Sequence, residues 1–533
     1  MAARQHTLSN NKQALRTGVL VIGGGPAAAW AALTAAEAGA EVTLVDKGYL
    51  GTSGATAPSS TGTWCVPPGE GRRLTVEKQL TASLGLGDEL WMYRTLDMSF
   101  ANLVRLSELG FPFPRKDDGT VYMTHLRGMD YMRFMRREVL KRRVKVFDHH
   151  PALELLADAD GRVIGAAGVE RHSGDVWQIM AGAVVLASGG CAFRERILGG
   201  TGMTGEGYLM AAEAGALMSG MEFTGKYTLA PLGSSLNKGV AFQYANFYNQ
   251  DGSSIEAANS PGLAGDERDA EVARALLAGP VFARIERLND YRQKWFRIAQ
   301  PNCFLPYDRI GVDPFQDLVP VTMRYEGTVR GTGGVHVVND ECWTGVPGLY
   351  VAGDAASREN LSGGVSGGGA INASWAIASG AWAGKGAAKT AAAAKNADGR
   401  EIPLGKAGLR PDVAGSLNQE EILAGVRAEL VPLDRSFFRT GATLRNSLGV
   451  FDDLWAHIRE RGGQLPAERF RHRELAGMVA VGRWITRAAL ARQETRGLHR
   501  RQDAPQHLRT PARLLLSGED GQFVAPLSRS AAS

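Results

Sequence analysis

The feature that most constrains the fold is a glycine-rich turn that joins an apolar run to an alanine-rich segment near the N-terminus. The run GVLVIGGG is short and apolar and ends in glycines, which is typical of a buried parallel strand. The segment PAAAWAALTAAEAGA follows with helical spacing, and EVTLVDKG then predicts a second strand. A strand, a helix and a strand within about 30 residues predict the βαβ unit that opens a dinucleotide-binding domain.

The spacing of small residues in this turn fits a bound dinucleotide. The motif is Gly23-x-Gly25-x-x-Ala28. Gly23 permits the tight turn, Gly25 lets the backbone approach a pyrophosphate, and Ala28 allows the strand and helix to pack closely. The phosphates would meet the helix N-terminus. Asp46 ends the second strand, where a carboxylate is expected to accept hydrogen bonds from ribose hydroxyls.

A second motif, late in the chain, favours FAD over NAD. The segment GLYVAGDAA predicts a strand that ends in Gly353 and Asp354, followed by a glycine-rich turn and the helix AINASWAIASGAWAG. This arrangement resembles the one with which flavoproteins hold the ribityl chain and the pyrophosphate of FAD. The positive end of the helix would point at the N1/O2 edge of the flavin and stabilise its reduced, anionic form.

Composition excludes several other kinds of protein. A net charge of +5 on 533 residues is weak evidence for a polyanionic partner. No stripe of basic and aromatic residues predicts nucleic-acid binding, so a flavoprotein that modifies nucleic acid is the poorest hypothesis. Cys65, Cys191, Cys303 and Cys342 are far apart and form no Cys-x-x-Cys or Cys/His cluster. The sequence therefore predicts no zinc site, no iron–sulfur cluster within the chain and no disulfide framework.

The location follows from the same kind of evidence. The N-terminal MAARQHTLSNNKQALRTG is polar and lacks the apolar region of a signal peptide. No apolar run approaches the length of a membrane span. We therefore expect a cytoplasmic protein without a membrane span.

Changes along the chain predict three domains. The runs AVVLASGG, GGVHVV and GLYVAGDA are expected to be strands of the same sheet as the opening unit. Between about 235 and 321 aromatic residues, proline and arginine dominate and βαβ signals disappear, which indicates an inserted second domain. From about 417 onward three segments have the spacing of amphipathic helices and predict a third, helical domain. The last 20 or so residues carry no periodic signal and are expected to be mobile.

Seven segments in the same order resemble the fumarate reductase and succinate dehydrogenase flavoprotein superfamily, which includes L-aspartate oxidase and the flavoprotein subunit of adenylylsulfate reductase. They run nearly from end to end and are VLVIGGGPAAAWAALTAAEAGAEVTLVDKG, GTSGATAPSSTG, AVVLASGG, GTGMTGEGYLMAAEAGALMSGMEF, GTGGVHV, PGLYVAGDAAS and RAALARQETRGLHRRQDAP. The resemblance implies an α/β FAD-dependent oxidoreductase with a Rossmann-like FAD-binding domain (1–234 and 322–400), an inserted α+β capping domain (235–321) and a C-terminal helical domain (415–533).

The motifs and the resemblance together give the residues expected to contact FAD. By analogy with the family, Glu206 should contact the adenosine half and Val146 should line the adenine pocket. A histidine beside the flavin binds it covalently in the succinate and fumarate enzymes, but the matching position here is Ala55, so we expect non-covalent FAD. The predicted set is Gly23, Gly25, Pro26, Ala27, Asp46, Lys47, Ser53, Gly54, Ala55, Val146, Ser188, Gly189, Glu206, Gly353, Asp354, Gly369, Ala370 and Ile371.

Dicarboxylate-handling members of the family share a His-Gly-Ala-Asn-Arg segment before the flavin helix, and its arginine grips a substrate carboxylate bidentately. The matching segment here reads LSGGVSGGGAIN, with Gly363 at the histidine and Gly367 at the arginine. Loss of this arginine should cost several kcal/mol of anion binding. Succinate, fumarate and aspartate are therefore not expected as substrates, although glycine would also be tolerated if the substrate bound elsewhere.

Two further family signatures are also replaced, and the replacements are candidates for catalysis. Tyr227 stands where the histidine of a His-Pro-Thr signature would fall, beside Lys226, and a phenol next to an ammonium can donate or relay a proton. Arg330 replaces part of a His-Tyr pair and could hold an anion, as could Arg324. His336 could face the flavin. A structural or surface role is the alternative for each of these residues, and no metal ligands are predicted.

Two functional hypotheses follow. In the first, the protein transfers a hydride between FAD and a small organic substrate other than a plain C4 dicarboxylate, beneath the capping domain. In the second, it is the electron-transfer flavoprotein of a complex with a separate ferredoxin-like iron–sulfur protein. The sequence leaves the substrate, the electron acceptor and a homo-oligomeric state open.

Overall fold

The computed structural model describes residues 15–115, 118–237, 241–263, 265–299, 301–394, 401–415, 417–462, 466–509 and 511–527. Most of the N-terminal segment that was compared with a signal peptide lies outside these residues.

The first part of the chain contains β1 (Leu15–Ile22), α1 (Pro26–Glu37), β2 (Val42–Val45), β3 (Ser60–Gly62), α2 (Glu70–Ala82), α3 (Glu89–Glu108), β4 (His125–Arg127), α4 (Gly128–Lys141), β5 (Lys145–Phe147), β6 (Ala152–Ala157), β7 (Val163–Val169), β8 (Val176–Leu186), α5 (Glu206–Glu213) and β9 (Met218–Ser219). The second part contains β10 (Tyr227–Pro231), β11 (Asn246–Tyr248), α6 (Glu256–Asn259), α7 (Gly265–Ala278), β12 (Val281–Arg284), α8 (Asp290–Ala299), α9 (Leu305–Asp308) and β13 (Val319–Tyr325). The remainder contains α10 (Gly327–Arg330), β14 (Gly334–Val335), β15 (Leu349–Val351), α11 (Glu359–Ser362), α12 (Gly368–Ala393), β16 (Ile402–Pro403), β17 (Val413–Ala414), α13 (Gln419–Leu430), α14 (Leu433–Ser436), α15 (Gly441–Glu460), β18 (Arg461–Gly462), α16 (Pro466–Ala491), β19 (Arg513–Ser517) and β20 (Gln522–Leu527).

The largest sheet contains the predicted βαβ unit. Its order is β16-β6-β7-β8-β1-β2-β5, with β15 paired to β8. Strand β1 runs parallel to β2 and β8, and both β5 and β15 add parallel strands. The prediction of a Rossmann-like α/β domain is therefore confirmed.

Helices α1 and α12 pack against each other beside this sheet because both are rich in small residues. A Cβ at Gly380 would lie 2.5 Å from the Ala27 carbonyl oxygen, and one at Gly384 would lie 2.3 Å from that of Ala31. These two glycines therefore allow the backbones to approach more closely than side chains would permit. The contact fixes the N-termini of two helices at one end of the sheet.

The capping domain is built on an antiparallel sheet of order β10-β13-β12-β11. The residues of β13 alternate between buried and more exposed, as expected for a strand with one face against a core. The sheet starts at Tyr227 and ends at Tyr325, so its strands extend beyond both limits of the predicted 235–321 insertion.

Two predictions about strands are wrong. The GGVHVV run forms β14, which does not join the largest sheet but pairs antiparallel with β9 in a sheet of order β14-β9-β19-β20. The end of the chain was predicted to lack regular structure, yet β19 and β20 form a hairpin there. Pairing of β19 with β9, far away in sequence, places this hairpin, and local periodicity does not report such pairing.

The C-terminal region has the predicted helices α13, α15 and α16, and α16 packs against α5 and α15. Thr440 caps α15 by a reciprocal hydrogen-bond pair with Thr443. Among the described helices none combines the length and the apolar character needed to cross a bilayer.

Candidate functional site

A cavity of about 1160 Å³ lies where the ends of β1 and β2 meet α1, α12 and the capping domain. It is larger than the roughly 300–1,000 Å³ of most ligand sites. Of the residues predicted to contact FAD, those that line it are Gly23, Gly25, Pro26, Ala27, Asp46, Lys47, Ser53, Gly54, Ala55, Ser188, Gly189, Glu206, Gly353, Asp354, Gly369 and Ala370.

Val146 and Ile371 do not line the cavity. Val146 lies in β5, in register with Leu44, and is 8% exposed because its side chain packs in the core. The wall near it is formed instead by Pro151 and Ala152, a few residues further along. Ile371 is buried on the far side of α12, whose neighbouring residues face the cavity. Each of these two predicted residues is therefore one or a few positions away in sequence from a residue that lines the cavity.

The part of the cavity at the turn between β1 and α1 is suited to a pyrophosphate. Gly23 has φ of +128°, and a Cβ there would lie 2.2 Å from the Ala187 carbonyl oxygen, so this turn requires glycine. Gly25 is the N-cap of α1 and supplies no side-chain cap, which leaves the first N–H groups of the helix free to meet an anion. Gly54 approaches the Cα of Gly25, which brings a second loop over the same helix end.

Two carboxylates that line the cavity, Asp46 and Glu206, are held by specific partners. Burial raises the pKa of Asp46, and the hydrogen bond from the Ser53 hydroxyl offsets part of that effect. Lys47 Nζ lies 2.6 Å from Glu206 Oε1 and 3.2 Å from Glu474 Oε1. Burial opposes ionisation of Glu206, but the Lys47 ammonium outweighs it and lowers the pKa of that carboxyl. Glu206 and Lys47 therefore form a fixed ion pair at the cavity wall.

The loop that carries Asp354 is fastened by an arginine that sequence reasoning missed. Arg358 is 1% exposed and pairs with the Asp354 carboxylate. Its guanidinium also donates to the carbonyl oxygens of Thr328 at 2.8 Å and Val329 at 3.2 Å. The Tyr208 hydroxyl donates to the Asp354 carbonyl oxygen at 2.5 Å. Arg358 thus ties the Gly353–Asp354 loop to the cavity wall that includes Val329.

Unpaired polar groups at the cavity fit a bound FAD. Ser188 Oγ and Asn372 Oδ1 are buried, and neither has a hydrogen-bond partner within the described part of the chain. Both residues line the cavity. Helix α12 begins there at Gly368 without a side-chain cap, so its positive end faces the same space. These groups match the donors, acceptors and charge that a flavin dinucleotide presents.

The glycine segment before α12 has distinct reasons for its glycines. Gly363 has φ of +56°, and a Cβ there would lie 2.0 Å from the Ser83 carbonyl oxygen. A Cβ at Gly367 would lie 2.7 Å from Ser362 Oγ. By contrast, a Cβ at Gly369 would have nothing within 4 Å, and Gly369 lines the cavity. A histidine cannot be accommodated at position 363 without a backbone shift.

The capping domain adds a buried cation that the sequence analysis did not single out. Arg268, in α7, is 6% exposed and lines the cavity. Its terminal nitrogens donate to the carbonyl oxygens of Gln243 at 2.8 Å and Phe242 at 3.1 Å. Its Nε has no partner in the described residues, and none of their carboxylates forms an ion pair with it. Arg268 is four positions before the buried Val272 in α7, and this spacing could have indicated that Arg268 faces inward. The charged residues around it in the sequence, however, are typical of a solvated helix face.

Other polar groups line the same cavity as Arg268. Thr228 and Asn237 do so, and both donate to Glu326 Oε1, at 2.8 and 2.6 Å. Arg330, one of the predicted catalytic residues, also lines the cavity. Its guanidinium makes no hydrogen bond or ion pair with another residue that the structure describes. Arg268 and Arg330 are thus two cations of the cavity wall that form no ion pair within the described residues.

The other predicted catalytic residues lie elsewhere. Tyr227 is fully buried, and its hydroxyl is 3.0 Å from the Val431 carbonyl oxygen in the C-terminal domain, while burial raises its pKa well above the ordinary value. Lys226 pairs with two aspartates. His336 does not line the cavity, and Arg324 pairs with Glu195 at 2.8 Å. Tyr227 is turned towards the C-terminal domain, whereas the next two residues of β10, Thr228 and Leu229, line the cavity.

Side chains able to bond covalently to a flavin are missing from the lining. Within the described residues it includes no histidine, cysteine or tyrosine. Ala55 itself lines the cavity and offers only a methyl group. The described residues also contain no cluster of three or more side chains that could hold a metal ion.

Two family profiles match the chain. The profile described as FAD binding domain matches residues 18–231, and the one described as fumarate reductase flavoprotein C-term matches residues 432–517. The first range contains the pyrophosphate and adenosine ends of the cavity.

Similar proteins are known in several organisms. The fumarate reductase flavoprotein subunit of Mycobacterium tuberculosis is 27% identical over 91% of this chain and 92% of that protein. The L-aspartate oxidase of Caulobacter vibrioides is 30% identical over 68% of this chain and 65% of that protein. Among solved structures, a quinol fumarate reductase of E. coli superposes with a TM-score of 0.81 at 22% identity and covers 96% of each chain.

Proposed function

Because this chain belongs to the fumarate reductase and succinate dehydrogenase flavoprotein family and is an FAD-dependent oxidoreductase, we propose that it oxidises or reduces a small organic anion other than a C4 dicarboxylate. The single observation that carries this proposal is Arg268, a buried guanidinium without a carboxylate partner in the described residues, which faces the cofactor cavity. Burial of this guanidinium is costly, the charge of Asp269 offsets part of that cost, and an anionic ligand would relieve more of it.

The second support is the segment that carries the dicarboxylate clamp in related enzymes. Gly363 cannot bear a side chain here because the Ser83 carbonyl oxygen occupies the Cβ position. The two clamp positions are glycine, so the substrate anion must be gripped from the capping side. Arg268, of the capping domain, and Arg330, just after that domain in the chain, both line the cavity. We propose that these two cations hold one principal anionic group of the substrate.

FAD supplies hydride acceptance and donation at this site. We propose that it is bound without a covalent bond, because Ala55 takes the position at which related enzymes carry a histidine. Asp46, which accepts a hydrogen bond from Ser53, would hold the ribose end, the N-terminus of α1 would meet the pyrophosphate, and the N-terminus of α12 would meet the flavin edge.

The residues of the capping domain would orient the substrate. Arg268 Nε, which has no partner in the described residues, would donate to the anionic group. Asp269, the next residue, also lines the cavity, but its carboxylate is paired with Lys226. Leu229 and Phe242 provide apolar surface that excludes water from the reacting carbon.

Replacement of Arg268 tests the proposal. Small monoanions (monocarboxylates, amino acids and aromatic acids) are first screened without oxygen for loss of the oxidised flavin band. For the best of them, Arg268→Gln should lower kcat/KM by about 100-fold or more, because one buried charge-assisted contact is removed. Arg292→Gln, an exposed position of the same domain, is the matched control. An unchanged kcat/KM in Arg268→Gln would contradict the proposal.

A second candidate function is favoured by the names of the relatives. The Mycobacterium tuberculosis protein is a flavoprotein subunit, and the match to it spans nearly the whole chain. We propose, as the alternative, that electrons leave to a separate ferredoxin-like iron–sulfur protein. Purification of the tagged protein from its own cells at low ionic strength tests this. The flavin is then removed from the co-purified material. Absorbance that remains between 400 and 450 nm, roughly the range of flavin and iron–sulfur bands, reports an iron–sulfur cluster. A preparation that contains flavin alone at every salt concentration counts against the alternative.

A further inference from the structure

Lys226 occupies the junction between three parts of the molecule. It immediately precedes β10, through which the chain enters the capping domain, and its carbonyl oxygen accepts a hydrogen bond of 3.0 Å from the Glu326 N–H, just after the chain leaves that domain. On either side, Gly225 accepts a hydrogen bond from Arg500 at 3.3 Å, and Tyr227 donates to the C-terminal domain. The backbone position of Lys226 is therefore fixed from several directions.

The side chain of Lys226 reaches into the capping domain. Its Nζ lies 2.7 Å from Asp266 Oδ1 and 2.8 Å from Asp269 Oδ2, and the three side chains are 12%, 29% and 17% exposed. Burial opposes the charge on Lys226, but the two carboxylates outweigh it and raise the pKa of the ammonium. This lysine is thus a charged, buried group, unsuited to release a proton near neutral pH.

The two aspartates belong to the helix that carries Arg268. Asp266 and Asp269 are three positions apart in α7 and so share one face, whereas Arg268 points about 100° away from Asp269. Arg268 is held at its tip by the carbonyl oxygens of residues 242 and 243. The rotation of α7 about its axis is held on the other side by Lys226.

We propose that Lys226 is a positioning residue: it anchors the first turns of α7 through Asp266 and Asp269 and so holds Arg268 over the cofactor cavity. This inference rests on the proposed function, since it assumes that Arg268 binds the substrate anion. Lys226 itself does not line the cavity, so its effect on the substrate is indirect. Without its ammonium, Asp266 and Asp269 repel each other and retain the more distant charges of Arg500 and Arg268.

The test uses the oxidised holoenzyme and sodium acetate as the probe anion, titrated while the flavin difference spectrum is recorded. Lys226→Met should raise the apparent Kd for acetate by about 10-fold, because a displaced guanidinium loses its alignment. Lys226→Arg keeps a cation between the aspartates and should stay within about two-fold of the unsubstituted protein. Lys294→Met, an exposed lysine of the same domain, is the matched control.

The outcomes separate this inference from the proposed function. If Arg268→Gln weakens acetate binding but Lys226→Met does not, the positioning role is overturned and the anion site stands. If Lys226→Met and Lys226→Arg weaken it equally, charge retention is irrelevant and the inference fails. If acetate produces no flavin change in the unsubstituted protein, or Arg268→Gln leaves its Kd unchanged, the anion site itself is wrong. Should Lys226→Met not fold, Asp266→Asn is used, and it should raise the Kd about 3-fold.

Discussion

His336 shows how burial decides the chemistry of a single residue. It lies outside the cofactor cavity, and its backbone N–H donates to the Leu217 carbonyl oxygen at 2.7 Å within the β14–β9 sheet. Burial, together with the positive charge of Arg513, lowers the pKa of the imidazole to about 4. His336 is therefore neutral at physiological pH, and it does not line the cavity in which a substrate would exchange a proton.

The pH dependence of stability follows from this depressed pKa. Below the ordinary pKa of 6.5 the unfolded chain binds a proton that folded His336 accepts only near pH 4. Stability should therefore fall as pH drops from about 6.5 to 4, by on the order of 3 kcal/mol from this group. Chemical denaturation at pH 7.0 and 5.0 measures the change. His336→Gln should reduce the loss between the two pH values, and an identical loss in both proteins would contradict this assignment.

The cofactor motifs predicted residues that line the cavity better than the candidate catalytic positions did, for a physical reason. Gly23 and Asp46 belong to a local motif whose turn and spacing fix the backbone directly. Arg268 is held by the carbonyl oxygens of residues 242 and 243, which lie earlier in the chain. Tyr227 begins the strand whose next residues line the cavity, but its hydroxyl contacts the distant C-terminal domain, and no local pattern reports such a contact.

At the scale of elements, the entry into helix α12 determines what the site can bind. The helix is alanine-rich and packs closely on α1, which fixes its N-terminus at the cavity. The turn before it passes under Ser83, where only glycine fits at position 363. The packing of this turn against Ser83 therefore requires a residue without a side chain at position 363.

Gly363→Ala should destabilise the protein by roughly 1–3 kcal/mol, because alanine is strained at φ of +56° and meets a backbone oxygen. Thermal unfolding of the holoenzyme measures this change. Gly449→Ala is the control of opposite sign, since Gly449 is exposed within α15 with open space around its Cα. It should stabilise the protein by about 0.5–1 kcal/mol. Equal melting temperatures for Gly363→Ala and the unsubstituted protein would contradict the packing argument.

Element types were predictable where a period was long and regular, as in α1, α15 and α16. Membership of a sheet was not, because β14 is only two residues long and pairs with β9, which precedes it by many residues. The terminal hairpin was missed for the same reason. Pairing partners far apart in sequence, and not local pattern, place both elements.

At the scale of the whole molecule, the cavity lies between domains that buried ion pairs hold together. Glu195, 2% exposed, accepts hydrogen bonds from Arg324 of the capping sheet at 2.8 Å and from Arg427 of α13 at 2.7 Å. Arg473 and Glu213 form a second buried pair, which joins α16 to α5. The sequence predicts three domains in this order, but no local pattern in it reports these contacts between distant residues.

The central claim is that the site handles a small organic anion other than a C4 dicarboxylate. Rapid anaerobic mixing of the oxidised holoenzyme with succinate, with L-aspartate and with the best monoanion, followed at the flavin absorbance band, tests it most directly. The monoanion should reduce the flavin at a rate compatible with a typical turnover of about 10 s⁻¹. Succinate and L-aspartate should be at least ~1000-fold slower. Reduction by either C4 compound as fast as by the monoanion would contradict the account.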